Sequence, residues 1–481
     1  MPRPLVLVHG YSADAQAFHP VRNALAATGI PTIEINVCNY VSLNNEITIK
    51  DIAEGFDRAL ANHPLLKDEA QDFDAIVHST GMLVVRAWLV NYGDDVGTNK
   101  RLKRLKHLVG LAPATWGSPQ AHKGRTWLGS LVKGNKKFGP DFLNAGDQVL
   151  RGLELGSSFT WELACWDLIG EKPFYGRGAD TPYVAIFIGN RPYDGISSVA
   201  NDPGTDGTVR WSGCALNARK ISIDLTRSSV GGQRARISPW ASDRLDIPMI
   251  AVDGKNHGTI IAEPDPGMIK LVSAFLQISD ESAHSDWLSS AQAYSQKGLP
   301  PMLVNPGAHA AGITAEAAKL FDHLIGKQVG TEMEGWQQFV VHARDEWGDG
   351  ISDYLIDVLK MENGNWTPFT EMYTDVHAYG ADPSYRCFHL RLPKGISSAG
   401  TPIHVRINAS TGTELMAYRA YGAGVQNLGA DAEPVELDIT KLDGGKGTLF
   451  YPFTTTMIEI LLNREPLPFN QESRILAFEK N

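Results

Sequence analysis

Ser79, Asp206 and His257 are the side chains whose types and chain order could do chemistry together. A serine hydroxyl is a weak nucleophile at neutral pH. It needs a base within hydrogen-bond reach, and the base needs an acid to orient it. Ser79 lies in "DAIVHSTGM", where an apolar run ends and a second, helix-like apolar run begins. The pattern G-x-S-x-G marks a strand entering a tight turn with serine at its apex. Ser79 and Gly81 fit that pattern, whereas Val77 stands where the first glycine would be. Taken alone, Ser79 reads equally well as a helix N-cap, a position that favours serine.

The acid and the base come from later loops. "NDPGTDGTVR" places Asp206 in a turn-rich stretch, with enough local freedom for its carboxylate to reach a histidine. Asp202 and Asp194 are rivals in the same region. "IPMIAVDGKNHGTI" is an apolar run followed by a loop that carries His257, and Asp253 is a weaker rival acid. Charge developing on a substrate oxygen needs N–H donors. The Thr80 amide opens the helix after Ser79, and "VLVHGYSAD" puts the Tyr11 or Ser12 amide just after the first strand.

These residues must be positioned by a regular scaffold. "PLVLVHG", "PTIEINV", "FDAIVHS", "LKHLVGLAP", "PYVAIFIGN" and "IPMIAVDG" are short, nearly continuous apolar runs. Between them, Phe18, Val21 and Leu25 recur at helical spacing, as do Ile49, Ile52, Phe56 and Leu60. "GMLVVRAWLVNYG" is apolar nearly all round, as a buried helix would be, and another helix is expected around Met268 to Phe275. Apolar strands alternating with helices predict a parallel sheet covered on both faces, an α/β architecture over residues 1–278.

The alternation breaks between residues 113 and 181, where Val149, Leu150 and Leu153 keep helical spacing and four tryptophans fall at 116, 127, 161 and 166. An insertion of this size after a core strand reads as a helical cap over a pocket. Its tryptophans read as core anchors one by one, and together as a candidate apolar wall. "KGNKKFG" is a basic loop, read as a solvated turn rather than a phosphate site. Residues 279–335 form a connector with helical content, such as "TAEAAKLFDHLIG". From residue 336 to 481 the period changes to two. Ile403, Val405 and Ile407 alternate with polar residues, as do Phe388, Leu390 and Leu392, and Thr456, Ile458, Ile460 and Leu462. That predicts half-buried antiparallel strands in a β-sandwich-like domain.

At 481 residues the chain has room for two domains, and 43% hydrophobic with 20% charged content is that of a globular protein. A net charge of −10 argues against nucleic acid as a partner. No apolar run is long enough to span a membrane, and the first strand starts too early for a signal peptide, so a cytoplasmic location is the default expectation. A start after a removed signal would make the protein secreted. Cys38, Cys165, Cys214 and Cys387 include no C-x-x-C pair. Cys165 and Cys214 could pair in a secreted protein; buried free thiols are the simpler reading. His9, His78 and His107 read as structural. His122 and His63 with nearby acids could hold a metal, but no pair has the H-x-x-x-H helical spacing, so no metal site is assigned.

The stretches "VHGYS", "VHSTG", "GTDGTV" and "KNHGTI", in this order, resemble an α/β-hydrolase of the lipase and esterase type over about residues 1–278. The Asp-Gly-Thr-Val stretch is similar to the acid loop of lipases and of lecithin–cholesterol-type acyltransferases. The resemblance implies Ser79 as nucleophile, Asp206 as orienting acid and His257 as general base. It implies the backbone amides of Tyr11, carried by the His-Gly turn, and of Thr80 as oxyanion donors, with no cofactor. The implied activity is cleavage of small or lipid carboxylic esters through an acyl-enzyme. An acyltransferase or a lipid deacylase would use the same triad. A binding protein on an inactive hydrolase fold is the reading that Val77 alone favours. No family is recognised in the C-terminal part, which is a candidate for docking a lipid surface or a polymer.

Overall fold

The computed structural model describes residues 3–10, 18–30, 32–35, 46–91, 99–125, 146–170, 174–176, 180–193, 201–227, 234–237, 247–295, 335–370, 372–392, 402–421, 435–438, 449–467 and 475. Among the described residues, eight strands precede residue 253: β1 (Leu5–Val8), β2 (Thr32–Ile35), β3 (Phe73–His78), β4 (Leu105–Leu111), β5 (Tyr183–Gly189), β6 (Ala218–Asp224), β7 (Ala235–Ile237) and β8 (Met249–Val252). Six of them form one sheet in the order β2-β1-β3-β4-β5-β8, with every neighbouring pair parallel. β1, β3 and β8 are buried along their whole length, as expected for strands covered on both faces.

The covering helices include α1 (His19–Ala27), α2 (Ile49–Asn62) and α3 (Gly81–Asn91). A capping box between Thr48 and Asp51 starts α2, and its buried stripe runs Ile49, Ile52, Phe56 and Leu60. α3 is buried on all sides from Met82 to Leu89. The chain passes from β1 to β2 on one side and then crosses to β3 on the other. The carboxyl ends of β1 and β3 are therefore a topological switch point, where open α/β sheets place their ligands. Gly10 and Ser79 follow those two strand ends.

Behind this point α3 is tied to the insertion by a wholly buried ion pair. Arg86 Nε and Nη2 donate to the two carboxylate oxygens of Asp167 at 2.7 and 2.9 Å. Arg86 Nη1 donates to the Thr115 carbonyl at 2.6 Å, and the Tyr175 hydroxyl donates to Asp167 at 2.8 Å. Burial pushes the Tyr175 phenol well above 10, so it stays a donor. The described part of the insertion has helices at Pro119–Arg125, Asp147–Leu153 and Ser158–Asp167. Trp127 and the basic stretch at 133–139 lie outside the described residues. Trp116 is buried and donates Nε1 to the Ala215 carbonyl at 2.8 Å. Trp161 packs edge-on against His342 and Tyr385. Both are anchors between parts of the fold, and Trp166 is 66% exposed. Cys165, Cys214 and Cys387 are free thiols, and Cys38 lies outside the described residues.

The helix Glu281–Ser295 packs Trp287 and Ala291 into the core of the hydrolase sheet and its helices, and residues 296–334 lie outside the described part. Nine more strands follow: β9 (Trp336–Asp345), β10 (Tyr354–Glu362), β11 (Asn365–Pro368), β12 (Tyr373–Ala378), β13 (Tyr385–Arg391), β14 (Ile403–Ala409), β15 (Met416–Arg419), β16 (Val435–Asp438) and β17 (Thr455–Pro466). They build a sandwich of two sheets, β11-β10-β14-β16 and β12-β13-β9-β17-β6-β7, with β15 added on β17. Phe339, Val341, Leu390, Val405, Ile407 and Ile460 line an apolar cavity between them.

Two features differ from the expectation of a separate antiparallel domain of half-buried strands. β6 and β7 come from before residue 278 but belong to the second sheet, and β17 runs parallel to both β6 and β9. The polar face of that sheet is also covered. Gln338, His389 and Thr455 are at most 1% exposed, although they point away from the sandwich core. The hydrolase-side loop around residues 204–215 lies on them. No helix among the described residues is long and apolar enough to cross a membrane.

Breaking a buried ion pair from one side strands the other charge and costs about 3–5 kcal/mol. Arg86→Ala is therefore expected to lower unfolding stability in urea by that amount. A loss under about 1 kcal/mol would show that Asp167 finds another partner.

Candidate active site

Ser79 occupies the turn between β3 and α3 with φ of 54°, a left-handed backbone that non-glycine residues rarely adopt. Such strain costs about 1–3 kcal/mol and persists only where the surroundings impose it. Here they do. The Ser79 carbonyl accepts from Ala114 N at 3.0 Å and Met82 N at 3.2 Å. A Cβ at Gly10 would lie 3.0 Å from Ser79 Cβ, and one at Gly81 would lie 2.5 Å from the Val8 carbonyl oxygen. The close approaches that need glycine thus fall at positions 10 and 81.

Val77 is fully buried in a regular strand, beside Val8 on one side and Gly110 on the other. A side chain at Gly110 would come within 2.8 Å of Ile186 and 3.0 Å of Met82. The turn thus forms with a valine at position 77, and Gly110 beside it makes room for Ile186, Met82 and Pro113.

His257 arrives on the loop after β8. His257 Nε2 is 3.0 Å from Ser79 Oγ, and Nδ1 is 3.0 Å from Asp206 Oδ2. Asn256 shapes the loop, its Oδ1 accepting from Gly258 N and from Thr259 N and Oγ1 at 2.9–3.1 Å. His78 braces it from below. Its Nε2 lies 3.0 Å from the His257 carbonyl oxygen. Burial, and then the neighbouring His257 and His9, hold the His78 imidazole well below 6.5. It is therefore a neutral ring, whose N–H donates to that carbonyl. His9 stacks edge-on beside it, with Nδ1 2.9 Å from the Gly10 carbonyl oxygen.

Asp206 differs from the flexible carboxylate that its turn-rich context predicts. It has no exposed surface, and both oxygens are in use. Oδ1 accepts from Thr208 N at 3.0 Å and Val209 N at 2.9 Å, while its own carbonyl accepts from His257 N at 3.1 Å. The loop is wedged in place on both sides. Gly207, at φ 99°, lies against the Tyr193 ring, where a Cβ would approach to 2.5 Å. Gly204, at φ 71°, lies against Trp336, where a Cβ would approach to 2.6 Å. Trp336 in turn stacks on His389 at 4.3 Å. Arg210 forms an ion pair with Asp375 and contacts Cys387 Sγ at 3.3 Å. Thr455 donates to the Ser212 carbonyl at 3.1 Å.

Of the rival residues, Asp253 accepts from Asn190 at 3.0 Å rather than facing His257. Asp202 meets Thr205 through its carbonyl oxygen at 2.6 Å. Asp194, Tyr11 and Ser12 lie outside the described residues. Thr80 is buried, and its amide follows Ser79 directly at the start of α3. His107 is a buried structural histidine, 2.8 Å from Asp74, which also pairs with Arg3. Sequence reasoning did not find Trp336, Tyr193, Arg210 or Asp375 as supports of the acid loop. Each contact joins residues far apart in the chain and leaves no local pattern.

No family model matches the chain, and no curated protein does. Solved structures do. Phospholipase PlaB from Legionella pneumophila superimposes with a TM-score of 0.71 at 19% identity, covering 99% of this chain and 97% of that one. Its complex with thio-NAD gives 0.70 over the same shares at the same identity. The mature lipase BlEst2 from Bacillus licheniformis covers 57% of this chain and 92% of its own, at 13% identity and a TM-score of 0.38.

The support of the acid loop by β9, β13 and β17 has a direct consequence. Deleting residues 336–481 is expected to abolish turnover of soluble and aggregated esters alike. Loss on aggregates alone, in paired assays, would mean that the C-terminal sheets dock substrate instead of holding Asp206. At 19% identity the likeness to PlaB is one of architecture: the chain has the α/β-hydrolase fold, joined to a C-terminal β-sandwich.

Proposed function

We propose that this protein is a serine hydrolase that cleaves carboxylic esters. The observation that carries the reading is the continuous hydrogen-bonded line Ser79–His257–Asp206, with both links at 3.0 Å, at the switch point of the parallel sheet. Ser79 Oγ attacks the ester carbonyl as His257 Nε2 takes its proton. The buried Asp206 carboxylate fixes the ring orientation and stabilises the imidazolium. The negative charge that develops on the carbonyl oxygen is held by the Thr80 amide at the start of α3, and by the Tyr11 amide on the residue-level resemblance. The tetrahedral intermediate collapses, and His257 returns the proton to the leaving alcohol. Water, deprotonated by the same ring, then attacks the acyl-serine and releases the acid.

A lipid ester is the substrate class we favour. The protein whose architecture matches along nearly the whole chain is described as a phospholipase.

Ser79→Ala should reduce hydrolysis of short p-nitrophenyl esters to background while far-UV circular dichroism is unchanged. A fluorophosphonate should label the native chain at Ser79 and leave the alanine variant unlabelled. Asp206→Asn should lower kcat by about 10⁴, since the ring loses its orienting acceptor. An alanine variant that keeps most of its activity would sink the assignment.

A further inference from the structure

His122, Glu154 and His377 come from three separate elements and bring their ligand atoms within 4.8 Å of one another. His122 sits in the helix Pro119–Arg125, Glu154 directly follows the helix Asp147–Leu153, and His377 lies on β12. His377 Nε2 is 2.9 Å from Glu154 Oε1, and His122 Nδ1 is 3.5 Å from the same oxygen. The two imidazole rings meet edge-on at 4.9 Å. Glu154 is wholly buried, whereas 16% of the His377 side chain and 48% of the His122 side chain are exposed.

We propose that these three residues bind a divalent transition-metal ion, with Zn²⁺ the best fit. The argument is one of donor type, spacing and access. Two imidazole nitrogens with one carboxylate oxygen are a ligand set for zinc, whereas calcium and magnesium take mostly oxygen donors. Tetrahedral zinc with bonds near 2.1 Å puts neighbouring ligand atoms about 3.4 Å apart. The two distances to Glu154 bracket that value. The half-exposed His122 ring can swing to close the remaining edge, and the open side leaves room for a water as fourth ligand. Glu154 is held for the task from behind, since the Gly380 amide donates to Oε1 at 2.9 Å. Its backbone is fixed by a bridge to Ser118, and Gly117 allows the approach, because a Cβ there would lie 2.5 Å from the Leu153 carbonyl oxygen.

The ion would act as a clamp. It would join the insertion to β12, neighbour of the strand that carries Cys387 and His389. It would also steady Ser118, whose hydroxyl donates to the Thr208 carbonyl at 2.6 Å, two residues beyond Asp206. The site stands on its own geometry and does not depend on the hydrolase reading.

The test uses the full chain, stripped with a chelator and then titrated with Zn²⁺ and, separately, Co²⁺. One zinc per chain by elemental analysis after desalting is expected, with a rise in thermal midpoint. Co²⁺ should give the intense visible ligand-field bands of a four-coordinate site. His122→Gln/His377→Gln should lose the bound metal, the midpoint shift and the bands, while keeping the circular dichroism of the native chain. Equal metal content or equal affinity in the native chain and the double variant would overturn the proposal. Absence of the Co²⁺ bands from the native chain would overturn it too, whatever the variant does. That outcome would leave a hydrogen-bonded His–Glu–His cluster.

Discussion

Asp206 has no exposed surface, with one oxygen on His257 and the other on two backbone amides. A carboxylate in that position is tolerated only while its acceptor sites are met, because an unmet one costs several kcal/mol. The loop around it must therefore be held in one conformation. The hydrolase sheet supplies half of the restraint through His257 and Tyr193. The other half comes from residues more than a hundred positions away: Trp336 against Gly204, Asp375 with Arg210, and Thr455 with Ser212.

This explains the composition of the sheet that does the holding. Its strands show the period-two pattern of a half-buried surface, yet both faces are covered. On the face toward the sandwich the residues are Phe339, Val341, Leu390 and Ile460. On the face toward the hydrolase they are Gln338, His389, Cys387 and Thr455, all buried. Neutral hydrogen-bonding side chains suit that second face. Thr455 donates to the Ser212 carbonyl of the loop, and uncharged side chains there avoid the desolvation cost of a charge. The His389 imidazole is itself held far below its usual range by burial and by Arg210, so it adds no charge there.

The parallel sheet was readable because its strands are short apolar runs and its helices carry a 3.6 period. The order Ser79, Asp206, His257 was readable because each is flanked by turn residues in a segment that follows a strand of the parallel sheet. Val77 departs from the pattern at a position where the strand is regular and fully buried, while the close approaches that need glycine fall at Gly10 and Gly81. What escaped sequence reasoning is long-range by nature. The alternation in "ARKISID" does not say that β6 leaves its own domain to pair with β17. Turn-rich composition around Asp206 signals freedom only until tertiary contacts remove it. His122 and His377 are far apart in the chain and meet only in the fold, so a search for helical ligand spacing passes over them.

The position of β17 has a bearing on how the molecule is made. It lies between β6 and β9 and runs parallel to both, pairing Thr455 with Ala218 and with Gln338. Parallel pairings between distant segments form slowly, and the chain emerges from the ribosome in order. While β17 is still unmade, β6 must wait with an open edge beside a nearly complete hydrolase core. Such an edge is a template for pairing with another chain. During synthesis the nascent protein thus holds Ser79, Asp206 and His257 but cannot yet set their geometry, and its most exposed vulnerability is to itself.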